Sequence, residues 1–401
     1  MNVLFFSELF YPHGGGAELA TYLYAKLLSE EGINVTVVTN RFAGESAFSK
    51  NGQMVVYRLP LYKSTRGVKY AISRRLDFYI STFVSKLLKN AGVIYIPRFW
   101  YSMIPACKVY RKPVIVHIHD YAPICPLAVL YDCSKQSVCE RNGPCSMRCI
   151  YEFEKSKDDS LRNVLLSVSL NFVARAAIKR LVQQADAILC VSKAQKAILI
   201  RNMPVIGQKS WVVYNPLPDL SPVDEVGECF GYFGGLNSLK GFGVLCRAVI
   251  QLDDPSVKVC ATGFSEFEMR TVKSIAKIGM VLRKKIEYRE QEAFYKQIKC
   301  VIFPSIIAEP LPYVTAEAIL RARVLIASNV GGVSEQVQNC KGVFLFKAGD
   351  HQALTELIKY VNGLDEETVK DLGCQNREVF TKTFDNKKSI SDFMDVVDSL
   401  T

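Results

Sequence analysis

Short apolar runs alternate with helical patterns along nearly the whole of this 401-residue chain. Asn2–Phe6, Ile33–Thr39, Val93–Ile96, Val114–Ile118, Ala187–Val191, Cys229–Phe233, Lys258–Ala261, Lys284–Tyr288 and Cys300–Pro304 read as strands, and most stretches between them, Gln291–Ile298 among them, read as helices. That alternation predicts α/β architecture with parallel sheets covered by helices. With 49% hydrophobic residues, the length supports two such domains. Three prolines and two Asn/Asp turns in VVYNPLPDLSPVDEVGE mark the linker, so domains are expected at 1–210 and 211–385.

Met1 leads straight into VLFFS without a basic leader, which does not fit a signal peptide. No stretch reaches the roughly 18 uncharged apolar residues of a membrane span; Val164–Ile178 comes nearest, but it is short and contains Arg175. A cytoplasmic protein is expected, lying on a membrane at most. The net charge of +11 is unevenly placed: residues 1–205 hold 27 Lys and Arg against 14 Asp and Glu, the remainder 23 against 25. A basic first half suits an anionic lipid surface or a phosphorylated substrate. Lys69–Lys89 has apolar residues at helical spacing with basic residues elsewhere, as in a helix lying on a membrane or one covering a sheet. No nucleic-acid recognition motif is present.

Two glutamates, Glu309 and Glu317, stand eight residues apart in AEPLPYVTAEAILRARVLIASNVGGVSEQV. Pro310 and Pro312 exclude helix around Glu309, whereas Tyr313–Ala322 has helical composition. Glu309 is therefore expected on a strand-to-helix loop and Glu317 in the turns beyond, both facing one pocket. Ionised carboxylates only accept hydrogen bonds, which suits a ligand rich in hydroxyl donors, such as a sugar or ribose. The helix-terminal amides near Tyr313 and Val314 favour a phosphate. Near the N-terminus, FYPHGGGAE places Gly14, Gly15 and Gly16 between a strand and a helix. Such a loop lets backbone amides approach an anion or a sugar. Its spacing is not GxGxxG and no acidic residue closes the second strand, which argues against NAD. VIVHIHDY ends a strand in His119 and Asp120, with His117 on the same side. Lys240 lies just ahead of the helix expected at Phe242–Leu252, where ammonium and helix terminus can grip one diphosphate.

These phrases together resemble glycosyltransferase family four, the retaining enzymes of the GT-B fold. The resemblance covers nearly the whole chain and is strongest over 230–350. It implies two Rossmann-like domains facing each other across a cleft, with a C-terminal helix, 386–401, crossing back to the first domain. It gives Glu309 and His119 to the donor sugar, Glu317 to the ribose, and Lys240 to the leaving diphosphate, with Glu309, His119 and Lys240 as the catalytic set. Gly15, Gly16, Gly235, Leu311, Pro312, Tyr313 and Val314 complete the donor contacts, and Glu18 touches the acceptor. Gly331 and Gly332 match the family's glycine pair. Gly235 occupies the place where the family has an arginine on the diphosphate; Lys240, Arg98 or Arg323 is expected to supply that charge.

Five of the 13 cysteines, Cys125, Cys133, Cys139, Cys145 and Cys149, fall within 25 residues. Without a signal, stable disulfides are not expected. Cys133, Cys139, Cys145 and Cys149 form a tentative structural zinc or iron–sulfur set, with free buried thiols as the alternative. Catalysis itself is expected to need no cofactor, as the chain has no Asp-x-Asp pair. The expected activity is hexosyl transfer from a nucleotide-sugar to a lipid-linked or polysaccharide acceptor. The alternatives are a nucleotide-sugar epimerase of the same fold and a non-catalytic sugar-nucleotide binder.

Overall fold

The structure is a computed structural model that describes residues 1–62, 81–139, 146–155, 160–272, 280–287 and 290–401. The chain divides into two units. The first comprises Met1–Gln136, Glu140–Leu217 and Phe384–Thr401, the second Ser137–Cys139 and Pro218–Thr383.

In the first unit, β1 (Asn2–Phe6), β2 (Asn34–Asn40), β3 (Phe48–Asn51), β4 (Met54–Leu59), β5 (Val93–Ile96), β6 (Val114–Ile118), β7 (Ala187–Cys190) and β8 (Ser210–Val212) form one sheet. Their order is β8-β7-β6-β5-β1-β2-β4-β3, parallel except for the β3–β4 edge pair. The apolar strands are buried on both faces because helices cover them, as their continuous hydrophobic runs require. Phe5, Tyr24 and Tyr95 pack with Phe393 of the C-terminal helix Asn386–Asp398; the Tyr24–Phe393 and Tyr95–Phe393 ring centroids are 5.4 and 5.5 Å apart. Asn386 fastens that helix by accepting from the Leu217 amide at 2.7 Å and donating to its carbonyl at 3.0 Å.

In the second unit, β9 (Cys229–Tyr232), β10 (Lys258–Phe264), β11 (Met280–Lys284), β12 (Ile298–Phe303), β13 (Val324–Ser328) and β14 (Val343–Phe346) form a wholly parallel sheet in the order β11-β10-β9-β12-β13-β14. Phe230, Phe242, Phe264, Ile302, Ile326 and Ile358 fill its core. The strand expected at 284–288 lies upstream, over Met280–Lys284, since Val259 and Ala261 of β10 pair with Met280 and Leu282. The helix expected to run to Ile298 stops at Tyr295, and Ile298 opens β12.

Both sheets run outward in opposite directions from a central strand. In the first the reversal falls between β1 and β5, in the second between β9 and β12. At such a point neighbouring loops diverge and leave a crevice at the carboxyl ends of the strands. Of the residues singled out above, Gly14, Gly15, Gly16 and Lys240 follow the central strands β1 and β9, and Arg98 and Glu309 follow β5 and β12.

Of the Lys69–Lys89 stretch, residues 69–80 lie outside the described residues. The remainder forms the helix Thr82–Asn90, capped by Ser81 and burying Val84 and Leu88 in the first unit.

Candidate active site

In the second unit, β9 leads through Gly234 and Gly235 to a short 3-10 turn, Ser238–Lys240, and β12 leads through Pro304 to Glu309. Backbone joins the two loops before any side chain does. Gly241, at φ 81°, lies so close to Pro304 that a Cβ would stand 1.8 Å from the Pro304 carbonyl oxygen. The Ile306 amide donates to the Leu239 carbonyl at 3.0 Å. This registers the side chains: Lys240 Nζ donates to Glu309 Oε1 at 2.6 Å and Ser305 Oγ donates to the same oxygen at 2.7 Å. Glu309 is buried, whereas the Lys240 side chain is 37% exposed.

The glycine pair explains the other side of Glu309. Gly332 N–H donates to the Glu309 carbonyl at 2.8 Å, and Gly331, at φ 53°, approaches so closely that a Cβ would stand 2.0 Å from that oxygen. Only glycine combines this dihedral with this approach.

Glu317 lies within the helix Tyr313–Leu320 that follows. Burial raises its carboxyl to about 7, against the pull of Arg321 one turn on. Thr315 Oγ1 and Gln336 Nε2 donate to the Pro312 carbonyl at 2.8 and 3.2 Å and hold the start of that helix.

Gly235 is not a site from which a side chain has merely been trimmed. Its φ is 57°, its amide donates to the Thr262 carbonyl at 3.0 Å, and a Cβ would stand 2.4 Å from the Gly263 carbonyl oxygen. The loop packs against the end of β10. Arg323 does not supply the charge expected of an arginine there. It is buried and donates to the carbonyls of Tyr295, Val223 and Glu225 at 3.2, 3.0 and 2.6 Å.

In the first unit, the reversal point carries the glycine loop after β1 and Arg98 after β5. The sequence reading gave Glu18 to the acceptor; the structure folds it beneath the loop. Gly15 N–H donates to Glu18 Oε2 at 2.7 Å and Arg98 Nη1 donates to Oε1. A Cβ on Gly14, at φ 102°, would stand 2.4 Å from Glu18 Cγ. Both oxygens of a buried carboxylate are thus occupied inside the unit. Arg98 Nη2 also donates to Asp120 Oδ2 at 3.4 Å. Burial opposes the Arg98 charge, but Glu18, Asp120 and Glu8 overcome it and hold the group firmly cationic. Arg98 is therefore committed to these carboxylates as well.

The two histidines separate cleanly. His117 is fully buried, with Tyr95 Oη 2.8 Å from its Nδ1, and burial lowers it to about 3. His119 stacks on it at 4.4 Å between centroids, one residue past the end of β6. Burial, then His117 and Arg98, push His119 well below its usual range, so it is neutral near neutral pH. Its Nε2 has no hydrogen-bond partner. His117 Nε2 is likewise without a partner; His117 is buried within β6, whereas His119 stands past the end of the strand and is only partly buried.

Of the cysteine set, Cys133 and Cys149 adjoin, with the Cys133 amide donating to Cys149 Sγ at 3.3 Å, while Cys145 lies outside the described residues. Among the described residues no three His, Cys, Asp or Glu side chains group to hold a metal ion.

Sequence reasoning missed Ser305, whose only signal was its place directly after the strand CVIFP, one turn ahead of Glu309. It also missed that Arg98 is the partner of Glu18, 80 positions away.

The profile of glycosyltransferase family 4 matches residues 14–219, more than half of the chain. The chain belongs to glycosyltransferase family 4. The profile of the group 1 glycosyl transferases matches residues 227–361, which include the Lys240–Glu309 pair. The protein is thus a nucleotide-sugar-dependent glycosyltransferase with the GT-B fold. A 42.6 kDa protein of the cps region of Klebsiella pneumoniae is 24% identical to the transferase over 350 residues, covering 84% of this chain and 87% of its own. Among solved structures, sucrose-phosphate synthase from Thermosynechococcus elongatus has a TM-score of 0.73 at 14% identity, covering 100% of this chain and 98% of its own. HepE from Anabaena, in complex with UDP-glucose, has a TM-score of 0.64 at 17% identity with both chains covered fully.

Proposed function

We propose that the transferase moves a hexose, with retention at the anomeric carbon, from a nucleoside diphosphate donor held by the second unit to a lipid-linked or glycan acceptor taken by the first. The observation that carries this is the Lys240–Glu309 pair at the reversal point of the second sheet. Unliganded, the two charges satisfy each other. A donor offers each a better partner, its diphosphate to the ammonium and its sugar hydroxyls to the carboxylate. In the reaction the bond from the anomeric carbon to the phosphate oxygen breaks, its electron pair leaving with the diphosphate, while the acceptor hydroxyl oxygen bonds on the same face and its proton passes to the departing phosphate oxygen. Charge grows on the leaving oxygens, where Lys240 and the amides of Tyr313 and Val314 stabilise it. Glu309 orients the sugar, and Glu317 accepts from the ribose.

HepE, solved with UDP-glucose, supports a uridine diphosphate sugar as the donor class to try first. The basic first half supports an acceptor bearing phosphate or another anion.

The test is a thermal-shift titration of UDP-, GDP- and ADP-sugars, followed by transfer from the radiolabelled hit to lipid extract. A stabilising donor that is turned over is expected. Glu309→Ala is expected to lose turnover more than a hundredfold while nucleotide affinity changes less than fivefold. Silence toward every sugar nucleotide, in both binding and turnover, rejects the proposal.

A further inference from the structure

The helix Leu161–Val182 has two unlike faces. Val164 and Val168 are buried with Ile150 and Tyr151 of the first unit, and Val182 is fully buried. On the far side Leu161, Leu165, Leu166, Leu170 and Val173 are 50–67% exposed. Ser169, Ala176 and Ala177 are exposed as well, and this three-and-four spacing makes one continuous apolar strip. At about 1.5 Å per residue it extends for about 25 Å. Exposed apolar strips of this length are uncommon on a protein surface that faces only water.

The charges around the strip say what covers it. The helix contains Arg162, Arg175, Lys179 and Arg180 and no Asp or Glu. Arg162 and Arg180 are exposed on the strip side, one near each end. A second copy of the chain would bring this cationic strip against its like, and the repulsion disfavours it. A bilayer with anionic lipid offers acyl chains to the leucines and phosphates to the arginines at once. The helix is long enough to cross a bilayer, but its valine face is already packed within the first unit, so it lies in the interface plane.

We propose that Leu161–Val182 is a membrane-docking helix, its leucine strip entering the headgroup boundary of an anionic bilayer. The docking does not rest on the transfer reading, because it needs neither donor nor acceptor.

The experiment is co-sedimentation of the full chain with vesicles of 30 mol% phosphatidylglycerol in phosphatidylcholine and with vesicles of phosphatidylcholine alone. Wild type is expected to bind the anionic vesicles at least tenfold more tightly. L166D/L170D is expected to lose at least tenfold in that binding, and R162E/R180E to lose the preference for anionic lipid. Melting temperature and donor hydrolysis in vesicle-free buffer should match wild type in both. Should the aspartate pair disturb folding, L166Q/L170Q takes its place. As a gain of signal, the indole introduced by Leu170→Trp should shift its emission to the blue by about 10 nm on addition of anionic vesicles. Absence of vesicle binding by wild type, binding unchanged by the leucine substitutions, or an unshifted indole overturns the proposal. So does light scattering that shows a dimer dissolved by L166D/L170D without any vesicle binding, which would assign the strip to a second copy.

Discussion

The glycine loop of the first unit and the lysine loop of the second occupy equivalent places, each following the central strand of its sheet at the point where strand order reverses. Each brings a buried carboxylate against a cation. In the first loop Glu18 gives one oxygen to Gly15 N–H and the other to Arg98, which Asp120 also holds. That carboxylate is consumed by the fold. In the second loop Glu309 gives one oxygen to both Ser305 and Lys240, and the lysine is partly in water. That carboxylate can exchange partners. A glutamate beside a glycine-rich turn therefore serves as scaffold or as ligand-binding group according to whether its cation is itself bound elsewhere.

The sharpest attempt to break this contrast is Lys240→Met. It leaves Glu309 buried without its cation and the leaving diphosphate without its ammonium. Turnover is expected to fall by about 10²- to 10³-fold, the range for loss of one preorganised charge-stabilising donor, with melting temperature moving little because the site is half open. Steady-state kinetics and a thermal melt on the same sample decide it; a large drop in melting temperature with modest kinetic loss would make the pair structural.

The reverse outcome is expected at Glu18. Glu18→Gln removes one counter-charge from buried Arg98 and weakens the Gly15 bond, at a cost of about 3 kcal/mol. At about 2–4 °C per kcal/mol this lowers the melting temperature by about 6–12 °C. Donor affinity, measured by calorimetry below the transition, should stay within twofold. A tenfold loss of donor affinity in the folded variant would return Glu18 to the substrate.

A smaller effect concerns pH. Burial lifts Glu317 to about 7, so the folded protein prefers its neutral form. The stability this contributes is complete below the unfolded carboxyl range and is lost as pH rises through about 7. In the proposed reaction the ionised form accepts from the ribose hydroxyl, and on that proposal donor KM should improve about tenfold between pH 6 and pH 8, following the ionised fraction. Glu317→Gln should flatten that slope; a slope that survives the substitution belongs to another group.

Ser305→Ala is the mildest change. It removes one hydrogen bond to Glu309, worth about 1 kcal/mol, and should reduce kcat about fivefold without altering KM for the nucleotide. No change in kcat would leave Lys240 as the sole anchor of that carboxylate.

Much of this was legible in the sequence. The alternation of apolar runs predicted two parallel sheets, and prolines 310 and 312 placed Glu309 on a loop. The glycine pair at 331 and 332 could be marked, but not its task of seating the Glu309 backbone, because that depends on contacts absent from the local pattern. The use of Glu18 was hidden for the same reason, since its partner Arg98 follows another strand, 80 positions away. Within the helix at 161–182, the stretch Val164–Ile178 was weighed as a span and set aside as short and interrupted by Arg175; only burial, residue by residue, shows that Val164, Val168 and Val182 face inward and Leu161, Leu165, Leu166 and Leu170 outward.

The contacts of Gly241 with Pro304 and of Gly331 with Glu309 are made by main chain. The geometry of the amine and the acid is therefore written into the path of the polypeptide. An engineer seeking a different sugar preference could vary Leu311 and the residues around it while leaving that frame intact. Moving the activity to a foreign scaffold would require carrying the glycines along with the two charged groups.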